Sequence, residues 1–139
     1  MNTTNSNFQF KNLWVIDDNE IDLYLAQMFI EEASFAEEIS LFNSPLKALE
    51  LLKCLENKPE QLPQFIFLDI RMPVMDGFEF LTEYDKFPDS IKLNCIVIML
   101  SSSLDPNDQR KIENNSLVKQ FLSKPLSEET LGRLKKEFK

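Results

Sequence analysis

Phe65-Ile-Phe-Leu-Asp-Ile-Arg-Met-Pro73 is the stretch on which the fold turns. Its apolar run, Phe65 to Leu68, stops at the carboxylate of Asp69. A run this short and this uniformly apolar reads as a strand covered on both faces, the signature of a parallel sheet between helices. Working outward, Leu13-Trp-Val-Ile16 ends at Asp17-Asp18 and Cys95-Ile-Val-Ile-Met-Leu100 ends at three serines. Ile39-Ser-Leu-Phe42 is a further strand, and Leu117-Val-Lys-Gln-Phe-Leu122 is the last, running into Lys124-Pro125.

Between the strands the period changes. Ile21, Leu25, Met28, Phe29 and Glu32 follow helical spacing, with Asp18 or Asn19 as the cap. Asn43 or Ser44 caps a second helix that starts at Pro45 and turns Leu46, Leu49, Leu52 and Leu55 inward. Residues 56–64, with Pro59 and Pro63, read as a loop. Asp76-Gly77 breaks the chain before a helix with Phe78, Leu81 and Thr82 inward. Asp105-Pro106 opens a fourth helix, and Ser127 with Glu129 and Thr130 opens a fifth that runs through Phe138. Five strands alternating with five helices predict an α/β fold, and right-handed crossovers place helices on both faces of a parallel sheet. In such sheets the functional crevice lies at the carboxyl ends of the strands.

Composition narrows the functions. The chain has 139 residues, enough for one domain with a real core, and 43% hydrophobic with 27% charged residues is a globular balance. With 23 acidic and 15 basic side chains the net charge is −8, a surface that repels nucleic acid. Arg133, Lys135, Lys136 and Lys139 complement the dipole of the final helix instead. No apolar run is long enough for membrane insertion, and the polar start of the chain lacks a signal-peptide layout. Cys54 and Cys95 read as buried thiols of a reducing compartment, so a cytoplasmic location is expected. Histidine is absent, which excludes Ser-His-Asp and Cys-His catalysis and imidazole-based zinc sites. Any phosphohistidine in the chemistry of this chain belongs to a partner.

Asp17, Asp18, Asp69, Ser101 and Lys124 all fall at strand ends and therefore on one rim. Three converging carboxylates repel, and one keeps its proton unless a cation is present. A small hard ion with room for waters, Mg²⁺ or Mn²⁺, resolves the repulsion. Lys124 then supplies a point charge for a phosphoryl oxygen, the Ser101 hydroxyl a hydrogen bond, and Asp69 a nucleophile. Arg71 places a guanidinium where it could shelter an acyl phosphate from water.

Val15-Ile-Asp-Asp18, Phe67-Leu-Asp-Ile-Arg-Met-Pro73 with Met75-Asp-Gly-Phe78, Ile98-Met-Leu-Ser-Ser102 and Phe121-Leu-Ser-Lys-Pro125 occur in order along residues 10–138. Together they resemble the receiver domains of two-component response regulators. The resemblance implies a flavodoxin-like (βα)5 fold with strand order 2-1-3-4-5, residues 1–9 forming a polar tail and residues 10–139 the receiver. It implies Asp69 as phosphoacceptor and Asp17, Asp18, Asp69 and the Arg71 carbonyl as the metal set, one of the two adjacent aspartates acting through water. It further implies a Lys124 contact with the phosphoryl group, a cis Lys124-Pro125 bond, and Ser101 and Phe121 as the switch pair. The donor would be a histidine kinase or a histidine phosphotransfer protein. Output would pass by protein contact to a target the sequence does not name, without an attached output domain. Whether the chain works as a monomer or a homodimer is open at this stage.

One departure from the family pattern bears on the structure. Only two glycines are present, and the glycine usual before the last strand is replaced within Glu113-Asn-Asn-Ser-Leu117, where Asn114 or Asn115 is expected to take the left-handed conformation. An aspartyl phosphatase of the haloacid dehalogenase type would also use an aspartate nucleophile. It needs Asp-x-Asp at the first strand and a substrate cap, whereas Asp17 and Asp18 are adjacent. A degenerate binding module is disfavoured by the intact acidic set.

Overall fold

The computed structural model describes residues 8–103 and 105–138. Most of the expected polar tail, residues 1–7, and Lys139 lie outside them. Strands β1 (Phe10–Ile16), β2 (Ala36–Phe42), β3 (Phe65–Asp69), β4 (Ile96–Ser101) and β5 (Val118–Ser123) form one parallel sheet in the order β2-β1-β3-β4-β5. The helices are α1 (Glu20–Glu32), α2 (Pro45–Cys54), α3 (Gly77–Tyr84), α4 (Asp89–Lys92), α5 (Pro106–Glu113) and α6 (Glu128–Glu137). The fold is the expected flavodoxin-like doubly wound sheet. Two short elements were not anticipated: α4, and a 3-10 turn at Pro59–Gln61 inside the predicted loop.

Period-two alternation along the strands builds two cores. Leu13, Val15, Phe65, Phe67, Ile98 and Leu100 face α1 and α6. Their neighbours Trp14, Ile16, Ile66, Leu68, Val97 and Met99 face α2 to α5. Every one of these twelve residues is buried, as a doubly covered sheet requires.

Helix starts follow the caps. Asn19, Ser44, Asp76, Asp105 and Ser127 each accept a hydrogen bond from a backbone N–H of the first turn. Inner faces match the expectation at Leu52, Leu55 and Leu81 and differ elsewhere. Leu23, Ala26 and Ile30 are the buried side of α1, while Ile21 is 70% exposed. On α2 the buried side is Pro45, Ala48 and Leu52, with Leu55 buried just beyond and Leu46 47% exposed. On α3 it is Gly77, Phe80, Leu81 and Tyr84, with Phe78 only half-buried and Thr82 exposed. Small residues take the central contacts because they let a helix lie close to the sheet. Cys54 is exposed at the end of α2, against expectation, whereas Cys95 is buried.

The scarcity of glycine moves left-handed backbone onto other residues. Ser34 (φ 50) closes α1, where the N–H groups of Ser34 and Phe35 reach back to Glu31 and Ile30. Val74 (φ 69) forms a three-residue turn between β3 and α3, with Met75 N–H donating to Pro73 at 2.7 Å. Asn114 keeps φ −90, and Asn115 is not among the positive-φ residues. The Asn115 side chain accepts from Leu117 N–H at 3.0 Å, so a side-chain bond closes this turn and no left-handed residue is needed.

Candidate functional site

β1, β3, β4 and β5 end along one rim of the sheet. Ile16 pairs with Leu68, Asp69 with Leu100, and Ser101 with Ser123. This register delivers Asp17, Asp69, Ser101 and Lys124 to neighbouring strand ends. The backbone fixes the last of these, because Lys124 N–H donates to the Ser101 carbonyl at 2.9 Å. The Lys124-Pro125 bond is cis, as expected.

Asp17, Asp18 and Asp69 offer carboxylate oxygens that all lie within 4.8 Å of one another. Asp17 and Asp69 are buried and Asp18 is exposed, so the cluster opens to solvent on one side. Lys124 reaches into it, with Nζ at 2.6 Å from Asp17 and 3.1 Å from Asp69. A second oxygen of Asp17 accepts from Asn19 N–H at 2.9 Å, which locks that carboxylate to the start of α1.

The electrostatics follow from this crowding. Burial, and then the charge of Asp17, push the Asp69 carboxyl up from 3.8 to about 6, although Lys124 pulls in the opposite direction. Asp69 is therefore still ionised at neutral pH, and poorly neutralised. Burial works against the Lys124 ammonium, but its bonds to Asp17 and Asp22 outweigh that and raise its pKa above the ordinary lysine value. The pocket has more negative charge than one lysine can balance.

Gly77 allows the next layer to close. A Cβ there would lie 2.6 Å from the Asp69 carbonyl oxygen and 2.7 Å from Met99 Cε. With no side chain, the start of α3 packs directly beneath Asp69, and Gly77 N–H donates to Ile70 at 2.8 Å.

The other anticipated residues are placed less simply. Ser101 is buried, and its hydroxyl is taken up by Ser103, donating to the carbonyl and accepting from the N–H at 3.1 Å. Phe121 is half-buried and packs on the α2–α5 core. The Arg71 guanidinium does not lie free beside Asp69. It pairs with Asp108, a buried carboxylate in the first turn of α5, and with Asp105 at 3.4 Å. That pairing follows from burial: an unpartnered Asp108 charge would be costly.

One participant escaped the sequence reading. Asp22 lies in the first turn of α1, and its Oδ2 is 3.0 Å from Lys124 Nζ, a contact spanning 102 residues. The available signal was an acid one helical turn beyond Asp18, on the helix that leaves the same strand end.

Sheet order, helix placement and an acidic rim with one lysine reaching into it define a receiver. Residues 13–134 match the sequence profile of the response regulator receiver domain, and the chain belongs to that family. It is 32% identical over 126 residues to the probable methanogenesis regulatory protein FilR2 of Methanothrix harundinacea, covering 90% of this chain and 79% of that protein. Among solved structures, a two-component response regulator from Cytophaga hutchinsonii superposes with a TM-score of 0.83 at 33% identity, covering 91% of this chain and 95% of the other. The receiver domain of the histidine kinase CKI1 from Arabidopsis thaliana, solved in complex with Mg²⁺, superposes with a TM-score of 0.76 at 26% identity, covering 93% and 92%. The chain is thus a receiver domain of two-component signalling, a family of phosphorylation switches. Among the described residues no helix is long and apolar enough to cross a membrane.

Proposed function

We propose that Asp69 accepts a phosphoryl group from a phosphohistidine on a histidine kinase or histidine phosphotransfer protein, and that the modified chain signals through protein contacts in the cytoplasm. The observation that carries the reading is the convergence of Asp17, Asp18 and Asp69 within 4.8 Å, with Lys124 bonded to two of them. A purely structural role explains one buried carboxylate with a cation. It does not explain three acids around one lysine, two of them buried.

The donor set fits a hard divalent ion: carboxylate oxygens open to water on one side, with no nitrogen or sulfur among them. Asp17, Asp18 and Asp69, with the Arg71 carbonyl, would hold Mg²⁺ or Mn²⁺, one adjacent aspartate acting through water. When bound, that ion neutralises phosphoryl oxygens that the acids would otherwise repel.

The protein's own residues do the rest. An oxygen of the Asp69 carboxylate, ionised above about pH 6, forms a bond to phosphorus. The phosphorus–nitrogen bond of the donor breaks, and its electron pair stays on the imidazole. Lys124, already 3.1 Å from Asp69, moves a donor onto a phosphoryl oxygen. Ser101 exchanges its bond with Ser103 for a second phosphoryl oxygen, and Phe121 turns into the space this opens. Water later hydrolyses the mixed anhydride back to carboxylate and phosphate. Residues 10–139 form the switch and residues 1–9 its tail.

Incubation with acetyl phosphate and Mg²⁺, followed by intact-protein mass spectrometry, tests the proposal. Wild type should gain one phosphoryl group, and Asp69→Ala or removal of the divalent ion should abolish the gain. Uptake that persists in Asp69→Ala would overturn the assignment.

A further inference from the structure

Lys124 has more partners than phosphoryl binding requires. Its ammonium touches Asp17 at 2.6 Å, Asp22 at 3.0 Å and Asp69 at 3.1 Å. Asp17 and Asp69 belong to the acidic cluster, but Asp22 does not. Asp22 is a separate carboxylate from α1, its side chain 36% exposed, whereas the Lys124 side chain is only 14% exposed.

The first turn of α1 does not itself require this contact. The Asn19 side chain already accepts the Asp22 backbone N–H at 3.0 Å, so the cap is complete without the Asp22 carboxylate. An acid in a first turn gains from the helix dipole while facing solvent. Here it faces Lys124 instead. Beside the pair opens a largely apolar cavity of about 250 Å³, whose walls include Asp17, Asp22, Leu25, Leu100, Leu126 and Lys124. The ammonium and the Asp22 carboxylate therefore have room to move apart.

We propose that Asp22 is a positioning residue that restrains phosphoryl uptake by engaging one donor of the Lys124 ammonium and adding negative charge beside the acceptor. The inference rests on the reading of Asp69 as phosphoacceptor. Two effects of Asp22 act in the same direction. It occupies a donor that a phosphoryl oxygen must recruit, and its charge adds to the repulsion an incoming anion meets. Toward a cation the same charge acts oppositely. Asp22 raises the negative potential of the cluster and shares the Lys124 charge that would otherwise fall on Asp17 and Asp69 alone. Asp22 thus favours the metal-loaded, unphosphorylated pocket over the phosphorylated one.

The opposite signs give the test. Calorimetric titration of the full chain measures Mg²⁺ affinity and, at saturating Mg²⁺, affinity for beryllofluoride, a stable mimic of the phosphoryl group. Asp22→Asn should bind Mg²⁺ roughly threefold more weakly and beryllofluoride roughly fivefold more tightly, the range expected for one partly exposed charge. A variant that merely loosened α1 would bind both more weakly. Unchanged or weaker beryllofluoride binding by Asp22→Asn, with wild type binding normally, would overturn the restraint and leave the acceptor reading intact. Wild type that fails to bind beryllofluoride with Mg²⁺ would overturn both.

Discussion

Replacing Asp69 by asparagine keeps the shape of the side chain and removes its charge. In the metal-free protein burial and the neighbouring Asp17 hold this carboxyl at about 6, against an ordinary 3.8. Below about pH 3 the group is protonated in folded and unfolded chains alike and costs nothing. As pH rises toward 6 the unfolded chain releases the proton while the folded chain retains it, so stability falls. Above about pH 7 the full cost is present, on the order of 3 kcal/mol. Asp69→Asn has no proton to release. It should therefore be the more stable protein at pH 7.5, with a melting temperature about 8–12 °C higher for a chain of this length. The gain should shrink to near zero by about pH 3, and millimolar Mg²⁺ should reduce it by stabilising wild type selectively. Thermal melts of both proteins across pH, with and without Mg²⁺, provide the assay. A gain independent of pH, or none at pH 7.5, would refute the claim that Asp69 carries an incompletely compensated buried charge.

Gly77→Ala would drive a Cβ to 2.6 Å from the Asp69 carbonyl, which cannot yield without moving β3. A loss of about 2–3 kcal/mol in denaturant unfolding is expected, with weaker Mg²⁺ binding. Lys124→Met strips the ammonium from three carboxylates. At pH 7.5 it should destabilise the metal-free protein by about 2–3 kcal/mol and tighten Mg²⁺ binding in calorimetry, since the competing cation is gone. Val74→Asn replaces a β-branched residue held at φ 69 by one that tolerates that conformation. It should raise stability by about 1 kcal/mol, measured as a shift in the denaturation midpoint at constant slope.

The strand ends were legible because a covered sheet leaves a mark in the sequence: apolar runs that give way to polar or charged residues. Asp17, Asp18, Asp69, Ser101 and Lys124 come to one rim by that logic alone. Helix faces were less legible. Ile21 and Leu46 fit a helical stripe as well as Leu23 and Leu52 do, and only the approach of helix to sheet decides which are buried. Ala26 and Ala48 sit at the buried contacts because they are small, a property hydrophobic periodicity does not weigh. Left-handed backbone was expected at Asn114 or Asn115 and occurs at Ser34 and Val74, where chain direction outweighs residue preference. The Arg71 guanidinium and Asp22 both serve partners more than thirty residues away, and no local pattern encodes such pairs.

Borohydride reduction of the phosphorylated protein tests the central claim most directly, because it converts an aspartyl phosphate to homoserine at the modified position. After acetyl phosphate and Mg²⁺, peptide sequencing by mass spectrometry should find homoserine at position 69 and aspartate retained at 17, 18 and 22. Homoserine at another of these positions, or a stable phosphate on Ser101, would contradict the account.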